Sequence, residues 1–248
     1  MNRPPWMSEA LAIQITNSVK PATPHSAFDR QLLADTTAIL QSNPWVKQVV
    51  QIRRAYGQLP GDTLEVDCDY RAPIALVHWK EYYWLVDGEG TKLPEQFNAQ
   101  QLHGITTGPD QRLKIRIIEG VSQPPVESGR KWPGEDLAAG LDLVKILYEQ
   151  PYADEIVKIN VANYGGRNNP KDAHLCLVTK YDTQVRWGRP VNAKDFFVEV
   201  PTAQKLKALD EVWSQFHRVD GGRPWIDIRF DKITYPTSDA TARLDASR

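Results

Sequence analysis

The chain has 248 residues, of which 41% are hydrophobic and 25% are charged, and its formal net charge is −1. This composition is typical of a soluble globular protein, and the near-neutral charge argues against nucleic acid or an acidic membrane surface as a partner. No apolar run approaches the roughly 20 residues that span a bilayer, and residues 1–19 lack the apolar segment of a signal peptide.

Two helices are predicted near the amino terminus. Residues 8–19 fit a helix, because apolar residues recur at helical spacing after Ser8, a possible N-cap, but they also alternate as in a strand. We favour the helix. Residues 26–42 carry one apolar stripe with Ser26 as a possible N-cap, and this pattern predicts a second helix that ends at Asn43-Pro44.

Two strands follow these helices. Residues 45–56 are rich in β-branched side chains, and residues 63–79 alternate between apolar and polar types, as a half-buried strand does. The alternation places Asp67 and Asp69 on a solvated face of the sheet. Pro73 indicates an edge position or a bulge, because proline has no N–H to donate to a ladder.

Asp87-Gly88-Glu89-Gly90 could hold a cation or form a turn. Two carboxylates supply too few oxygens for calcium, and Asp-Gly between alternating segments favours a hairpin turn. The other predicted elements are strands over 112–118, 155–163, 173–181, 184–188, 196–200, 224–230 and 232–236, a tight turn at Asp182-Thr183, and helices over 135–149 and 202–216. The helix over 135–149 carries an apolar stripe of Leu137, Leu141, Val144 and Leu147. The pattern predicts an α+β fold: a small α/β domain over 1–79, a mixed or antiparallel β domain with two helices over 80–236, and a disordered tail over 237–248.

No catalytic constellation is present in the sequence. The five histidines are scattered, the two cysteines lack C-x-x-C spacing, and no Walker A, G-x-S-x-G or H-E-x-x-H motif occurs. Residues 165–170 are predicted to be a surface loop, and Asp227 and Arg229 an outward-facing acid and base. We therefore predict no enzyme, no metal site and no cofactor.

Short motifs in a fixed order carry a family resemblance. They are Pro44-Trp45-Val46, Arg53-Arg54, Pro60, Thr63-Leu64-Glu65-Val66, Arg71-Ala72-Pro73, Leu85-Val86-Asp87 with Gly90 and Pro94, Leu175-Cys176-Leu177, Gly188-Arg189, Lys205-Leu206 and Ile226-Asp227-Ile228-Arg229-Phe230. Over roughly residues 43–236 the chain resembles the bacterial cell-division family FtsQ/DivIB.

The resemblance implies a POTRA domain followed by a β domain, in a non-enzymatic scaffold of the division complex (divisome). It implies a location on the extracytoplasmic face of the cell membrane, with small single-span coiled-coil proteins of the FtsB/FtsL type as partners. Family members are usually anchored by one N-terminal transmembrane helix. This sequence carries no such segment, so the expected anchor is missing from it.

The resemblance further implies that the last strand of the β domain receives a partner strand. Here that edge comprises Arg229, Phe230, Ile233, Thr234 and Tyr235. The alternative for Ile233, Thr234 and Tyr235 is that they only close the sheet.

Two other functions stay open. One is a POTRA-bearing envelope assembly or transport factor, which would bind extended client peptides along the sheet edge of the first domain. The other is a glycan-binding module that uses Trp79, Tyr82, Tyr83 and Trp84, with Tyr82 and Trp84 on one side of their strand and Tyr83 on the other.

Overall fold

The computed structural model describes residues 3–21, 29–55, 63–106, 115–193 and 199–236. Its helices are α1 Glu9–Ser18, α2 Arg30–Ser42, α3 Ala99–Thr106, α4 Glu135–Leu147 and α5 Thr202–Phe216. Its strands are β1 Val46–Ala55, β2 Thr63–Tyr70, β3 Pro73–Trp79, β4 Tyr82–Asp87, β5 Lys92–Phe97, β6 Arg116–Glu119, β7 Ile156–Asn160, β8 Leu175–Thr179, β9 Gln184–Gly188 and β10 Trp225–Asp227.

The strands form two sheets. β1 and β2 make an antiparallel pair, and the other eight strands make one mixed sheet in the order β10-β9-β8-β7-β6-β3-β4-β5. Strand β6 runs parallel to β3 and β7, and β10 runs parallel to β9, whereas the remaining neighbours are antiparallel. The predicted α+β class is confirmed.

The eight-stranded sheet separates two hydrophobic cores. Ala75 and Val77 of β3 face the core that α4 and α5 cover, whereas Leu76 faces a second core with α1, α2, β1 and β2. We call these the helix-side core and the N-terminal core. The stripe predicted on α4 is confirmed: Leu137, Leu141, Val144 and Leu147 are all buried.

Both N-terminal helices begin after a capping side chain. The Oγ of Ser8 accepts a hydrogen bond from the Leu11 N–H at 3.2 Å, so the helical interpretation of 8–19 is confirmed. Helix α2 begins at Arg30, directly after its N-cap Asp29, whose side chain accepts the Gln31 N–H at 2.9 Å. The predicted cap Ser26 lies outside the described residues.

The segment predicted as one strand over 63–79 is two strands in different sheets. β2 ends at Tyr70, and β3 begins at Pro73 as an inner strand of the large sheet. The register opposite β4 shifts between Pro73 and Ala75, which fits the bulge, one of the two alternatives predicted at this proline; the other, an edge position, is wrong, because β3 lies between β6 and β4. The domain boundary predicted at residue 79 falls between β3 and β4, which pair with each other, and the division into domains stays a prediction.

Several other predicted segments differ from the structure or lie partly or wholly outside the described residues; the strand predicted over 112–118, for example, is described only from residue 115 and is Arg116–Glu119. The strand over 224–230 is only Trp225–Asp227, because the chain bends after it, and 232–236 contributes one bridge rather than a strand. Of the predicted strand over 196–200, Glu199 and Val200 are described and are not in a strand. The tail over 237–248 lies outside the described residues.

Candidate partner-binding edge

The carboxyl-terminal residues form one edge of the eight-stranded sheet. Strand β10 pairs with β9 on one side, and on its other side Asp227 is bridged to Thr234. The Asp227 N–H donates to the Thr234 carbonyl at 2.8 Å, and the Thr234 N–H donates to the Asp227 carbonyl at 3.0 Å. Thr234 therefore lies at the outermost position of the sheet on this side.

The backbone on either side of Thr234 is available for pairing. In an antiparallel pair, neighbouring residues turn their N–H and C=O groups to opposite sides. Since Thr234 bonds inward, the backbone groups of Ile233 and Tyr235 face outward. Among the described residues, no backbone hydrogen bond joins either of them to another residue.

The side chains at this edge combine apolar and cationic groups. Phe230 is 45% exposed and Tyr235 is 53% exposed, whereas Ile233 packs partly against the helix-side core. The guanidinium of Arg223 lies 5.1 Å from the Tyr235 ring, and that of Arg229 lies 5.1 Å from the Phe230 ring. Of the five residues predicted for this site, Phe230, Thr234 and Tyr235 are exposed on it.

Arg229 and Asp227 differ from the sequence-based expectation. The prediction that they are an outward-facing acid and base is wrong, because both side chains are largely buried and bind each other. Arg229 Nη2 lies 2.7 Å from Asp227 Oδ2, and the hydrogen bond to this carboxylate raises the pKa of Arg229. Its Nη1 donates to the Lys171 carbonyl at 3.2 Å, so Arg229 connects this edge to the segment before β8.

Helix α5 and the residues before it hold the edge in place. The Val200 N–H donates to the Arg229 carbonyl at 2.8 Å, and Gln204 Nε2 donates to Asp231 Oδ1 at 3.1 Å. Close by, the buried Lys205 Nζ lies 2.7 Å from Glu199 Oε2. Burial lowers the pKa of Lys205, and the hydrogen bond to Glu199 opposes that shift. No pattern in the sequence indicates this pair.

The aromatic run in β4 is arranged as predicted but is not a flat platform. Tyr82 and Trp84 share one side of the strand, with ring centroids 6.2 Å apart and planes inclined by 55°. Tyr83 lies on the other side and stacks on His78 at 4.5 Å. Lys92 Nζ covers the Trp84 ring at 4.3 Å, which reduces the area available to a sugar.

A polar concavity of about 280 Å³ lies on the sheet face that the helices α4 and α5 do not cover. Lys158, Cys176 and Arg186 line it, on the side of β7–β9 opposite the helix-side core. Burial raises the pKa of the Cys176 thiol to about 11, so it is protonated at neutral pH and is a poor nucleophile. Sequence reasoning missed this concavity, because it depends on three strands coming together.

Two predicted surface features agree with the structure. Asp67 and Asp69 are exposed, and 165–170 is a surface loop. No helix in the described part of the chain is long and apolar enough to cross a membrane. Within the same residues, no cluster of three or more His, Cys, Asp or Glu side chains could hold a metal ion.

No family model matches the chain, and no curated protein matches it.

Proposed function

We propose that the protein is a non-enzymatic scaffold that binds partner proteins by strand addition at the edge formed by Phe230, Ile233, Thr234 and Tyr235. The observation that carries the proposal is the backbone of Ile233 and Tyr235, which has no hydrogen-bond partner within the described ranges and lies beside two exposed aromatic rings. An incoming strand satisfies such backbone groups, and pockets beside them select its side chains.

The sequence resemblance supports a place for this scaffold in the bacterial division complex, on the extracytoplasmic face of the cell membrane. Its partners there are small single-span coiled-coil proteins of the FtsB/FtsL type. An in-frame segment of roughly 20 apolar codons upstream of Met1, after a Lys/Arg-rich stretch, is the expected anchor. Sequencing that region of the gene tests the membrane attachment.

The edge has features that limit uncontrolled pairing. A single bridge at Thr234 makes it short, and Pro236, which has no N–H to donate, follows directly after Tyr235. Short edges and prolines both disfavour aggregation between sheets. The edge is therefore suited to one specific partner strand.

Pull-down of the coiled-coil partners with the full chain tests the site. Tyr235→Lys places a charge among the apolar contacts, and Ile233→Pro removes one backbone donor, so both variants are expected to lose partner capture. Tyr148→Lys is the matched control, because Tyr148 is 50% exposed and lies just after α4. Thermal unfolding of each variant shows whether it is folded.

Capture by both edge variants at the level of the control contradicts the site assignment. Loss of capture by the control as well indicates a different contact surface.

A further inference from the structure

The polar concavity on the uncovered face of the large sheet owes its shape to strand register. Strand β8 lies between β7 and β9, and Cys176 is paired with Asn160 on one side and with Arg186 on the other. Two residues along β8, Val178 lies opposite Lys158 of β7. These side chains point to one face, so the short ones on the middle strand form a floor and the longer ones on its neighbours form two walls.

Arg186 has a fixed position but no carboxylate partner in the part of the chain that the structure describes. Its guanidinium lies 4.2 Å from the centroid of the Trp225 ring, and this cation–π contact holds it at the wall of the concavity. Within the same residues its side chain makes no hydrogen bond and no ion pair. A guanidinium carries five N–H donors in a planar fork that matches a carboxylate, so Arg186 is available to bind one.

Asp172, in the loop before β8, supplies an opposite charge to the concavity. Its Oδ1 accepts the N–H of Ala173 at 2.8 Å, and its carboxylate forms no ion pair with a described residue. Asp172 and Arg186 both lie near Cys176: burial is the main cause of the raised pKa of this thiol, Asp172 raises that pKa further, and Arg186 lowers it. Because the two charges do not bind each other, the space between them fits a group that carries both an ammonium and a carboxylate.

The other carboxylates of the lining do not compete for that space. Glu119 Oε1 accepts a hydrogen bond from Asn160 Nδ2 at 3.0 Å, and Glu119 Oε2 lies 3.9 Å from Lys158 Nζ. Asp182 lies in the turn between β8 and β9, at the other end of β8 from Asp172. The contact of Lys158 with Glu119 is long, so the ammonium of Lys158 can also donate to a polar group in the concavity.

We propose that this concavity binds a free α-amino acid with a polar side chain. Arg186 binds the carboxylate of the ligand, Asp172 binds its ammonium group, and Lys158 binds the end of its side chain. The volume of about 280 Å³ equals that of roughly nine water molecules at ~30 Å³ each, so a ligand of about ten non-hydrogen atoms fits. The site is separate from the edge at Phe230 and Tyr235 and does not depend on the function proposed for that edge.

Chemical-shift titration of the ¹⁵N-labelled full chain with L-glutamine tests the site. Binding is expected to saturate and to shift the indole N–H signal of Trp225, because Arg186 lies against that ring. N-acetyl-L-glutamine lacks the ammonium and L-glutaminamide lacks the carboxylate, so each is expected to bind roughly tenfold more weakly. Absence of saturable binding by L-glutamine, or equal binding of the three compounds, overturns the proposal.

Substitutions then assign the two charged groups. Asp172→Asn should bind L-glutamine and N-acetyl-L-glutamine with nearly equal affinity, and Arg186→Met should bind L-glutamine and L-glutaminamide with nearly equal affinity. Glu149→Gln and Arg130→Met are matched controls, because both residues are exposed and lie outside the concavity, and they should keep both preferences of the wild type. Each comparison is made between two ligands on one variant, so a general loss of stability does not imitate the result. If Arg186→Met still prefers the free carboxylate, or Asp172→Asn still prefers the free ammonium, as strongly as the controls do, the proposal is wrong.

Discussion

The guanidinium of Arg71 lies 2.8 Å from Asp87 Oδ2, and this contact joins the link between the two sheets to the end of β4. The other oxygen, Oδ1, accepts the backbone N–H groups of Glu89 at 2.9 Å and Thr91 at 2.8 Å. One buried carboxylate therefore closes the hairpin turn and holds the chain where it passes from β2 to β3. Two motifs that carry the family resemblance meet at this contact.

We expect Arg71→Ala to lower the free energy of unfolding by about 2–4 kcal/mol, because it leaves the Asp87 carboxylate buried without its cation. Urea denaturation measures the change. Arg53→Ala is the control, since the side chains of the Arg53–Glu65 pair are 65% and 50% exposed, and it should change stability by about 0–1 kcal/mol. Equal losses in the two variants contradict a structural role for the Arg71–Asp87 contact.

The turn at Asp87 illustrates what the sequence predicts well. Local patterns predict local structure: Asp-Gly gives the turn, Ser8 gives the start of α1, and apolar spacing gives the buried face of α4. Each depends on residues only a few positions apart.

The differences between the predicted and the observed structure have long-range causes. Alternation holds over 63–71, and the apolar run 74–77 follows Pro73 with no glycine-containing turn between them, so local pattern does not show that the chain leaves one sheet at Arg71 and enters another. The Asp227–Arg229 pair likewise depends on distant segments, because the Lys171 carbonyl accepts from the Arg229 side chain and the Val200 N–H donates to the Arg229 carbonyl. The exposed edge could be proposed from the resemblance, but its supporting contacts could not.

Gly120 and Gly165 form a matched pair for a backbone test. Both have positive φ, +82° and +67°, but an added Cβ at Gly120 would lie 2.7 Å from the Ala162 nitrogen, whereas one at Gly165 meets nothing within 4 Å. We expect Gly165→Ala to cost about 1–2 kcal/mol from backbone strain alone. Gly120→Ala should cost about 1–3 kcal/mol more, because the backbone at Ala162 must shift. Equal urea midpoints for the two variants would show that the backbone at Gly120 and Ala162 shifts without loss of stability.

The lowered pKa of the Asp136 carboxylate should contribute to the loss of stability of the protein in acid. Burial alone would raise its pKa, but hydrogen bonds from Arg167 Nη1 at 2.8 Å and the N–H groups of Ser122 and Leu137 outweigh burial and lower it. A lowered pKa stabilises the folded state above the unfolded-state value of about 3.9, and this stabilisation is lost as the pH falls through the folded-state pKa.

We therefore expect Asp136→Asn to reduce the free energy of unfolding at pH 7 by about 1–3 kcal/mol, and by less at pH 3. Asp67→Asn, at an exposed aspartate, should give a small difference at both pH values. Urea unfolding across this pH range measures the difference. If the difference in free energy of unfolding between wild type and Asp136→Asn does not change with pH, the ionised form of Asp136 does not stabilise the folded state.

Substitutions of Arg229 and Phe230 should separate the effect of the carboxyl-terminal edge on stability from its effect on partner binding. Arg229→Ala leaves Asp227 buried without its cation and should cost about 3–5 kcal/mol in urea unfolding. Phe230, at 45% exposure, has little to lose in the folded chain, and Phe230→Ala should change stability by no more than about 0.5 kcal/mol. If Phe230 contacts the partner strand, the same substitution weakens capture of the coiled-coil partner while the unfolding curve stays unchanged. The reverse result, in which Phe230→Ala unfolds the protein and leaves capture intact, would assign Phe230 to the core and remove it from the partner-binding edge.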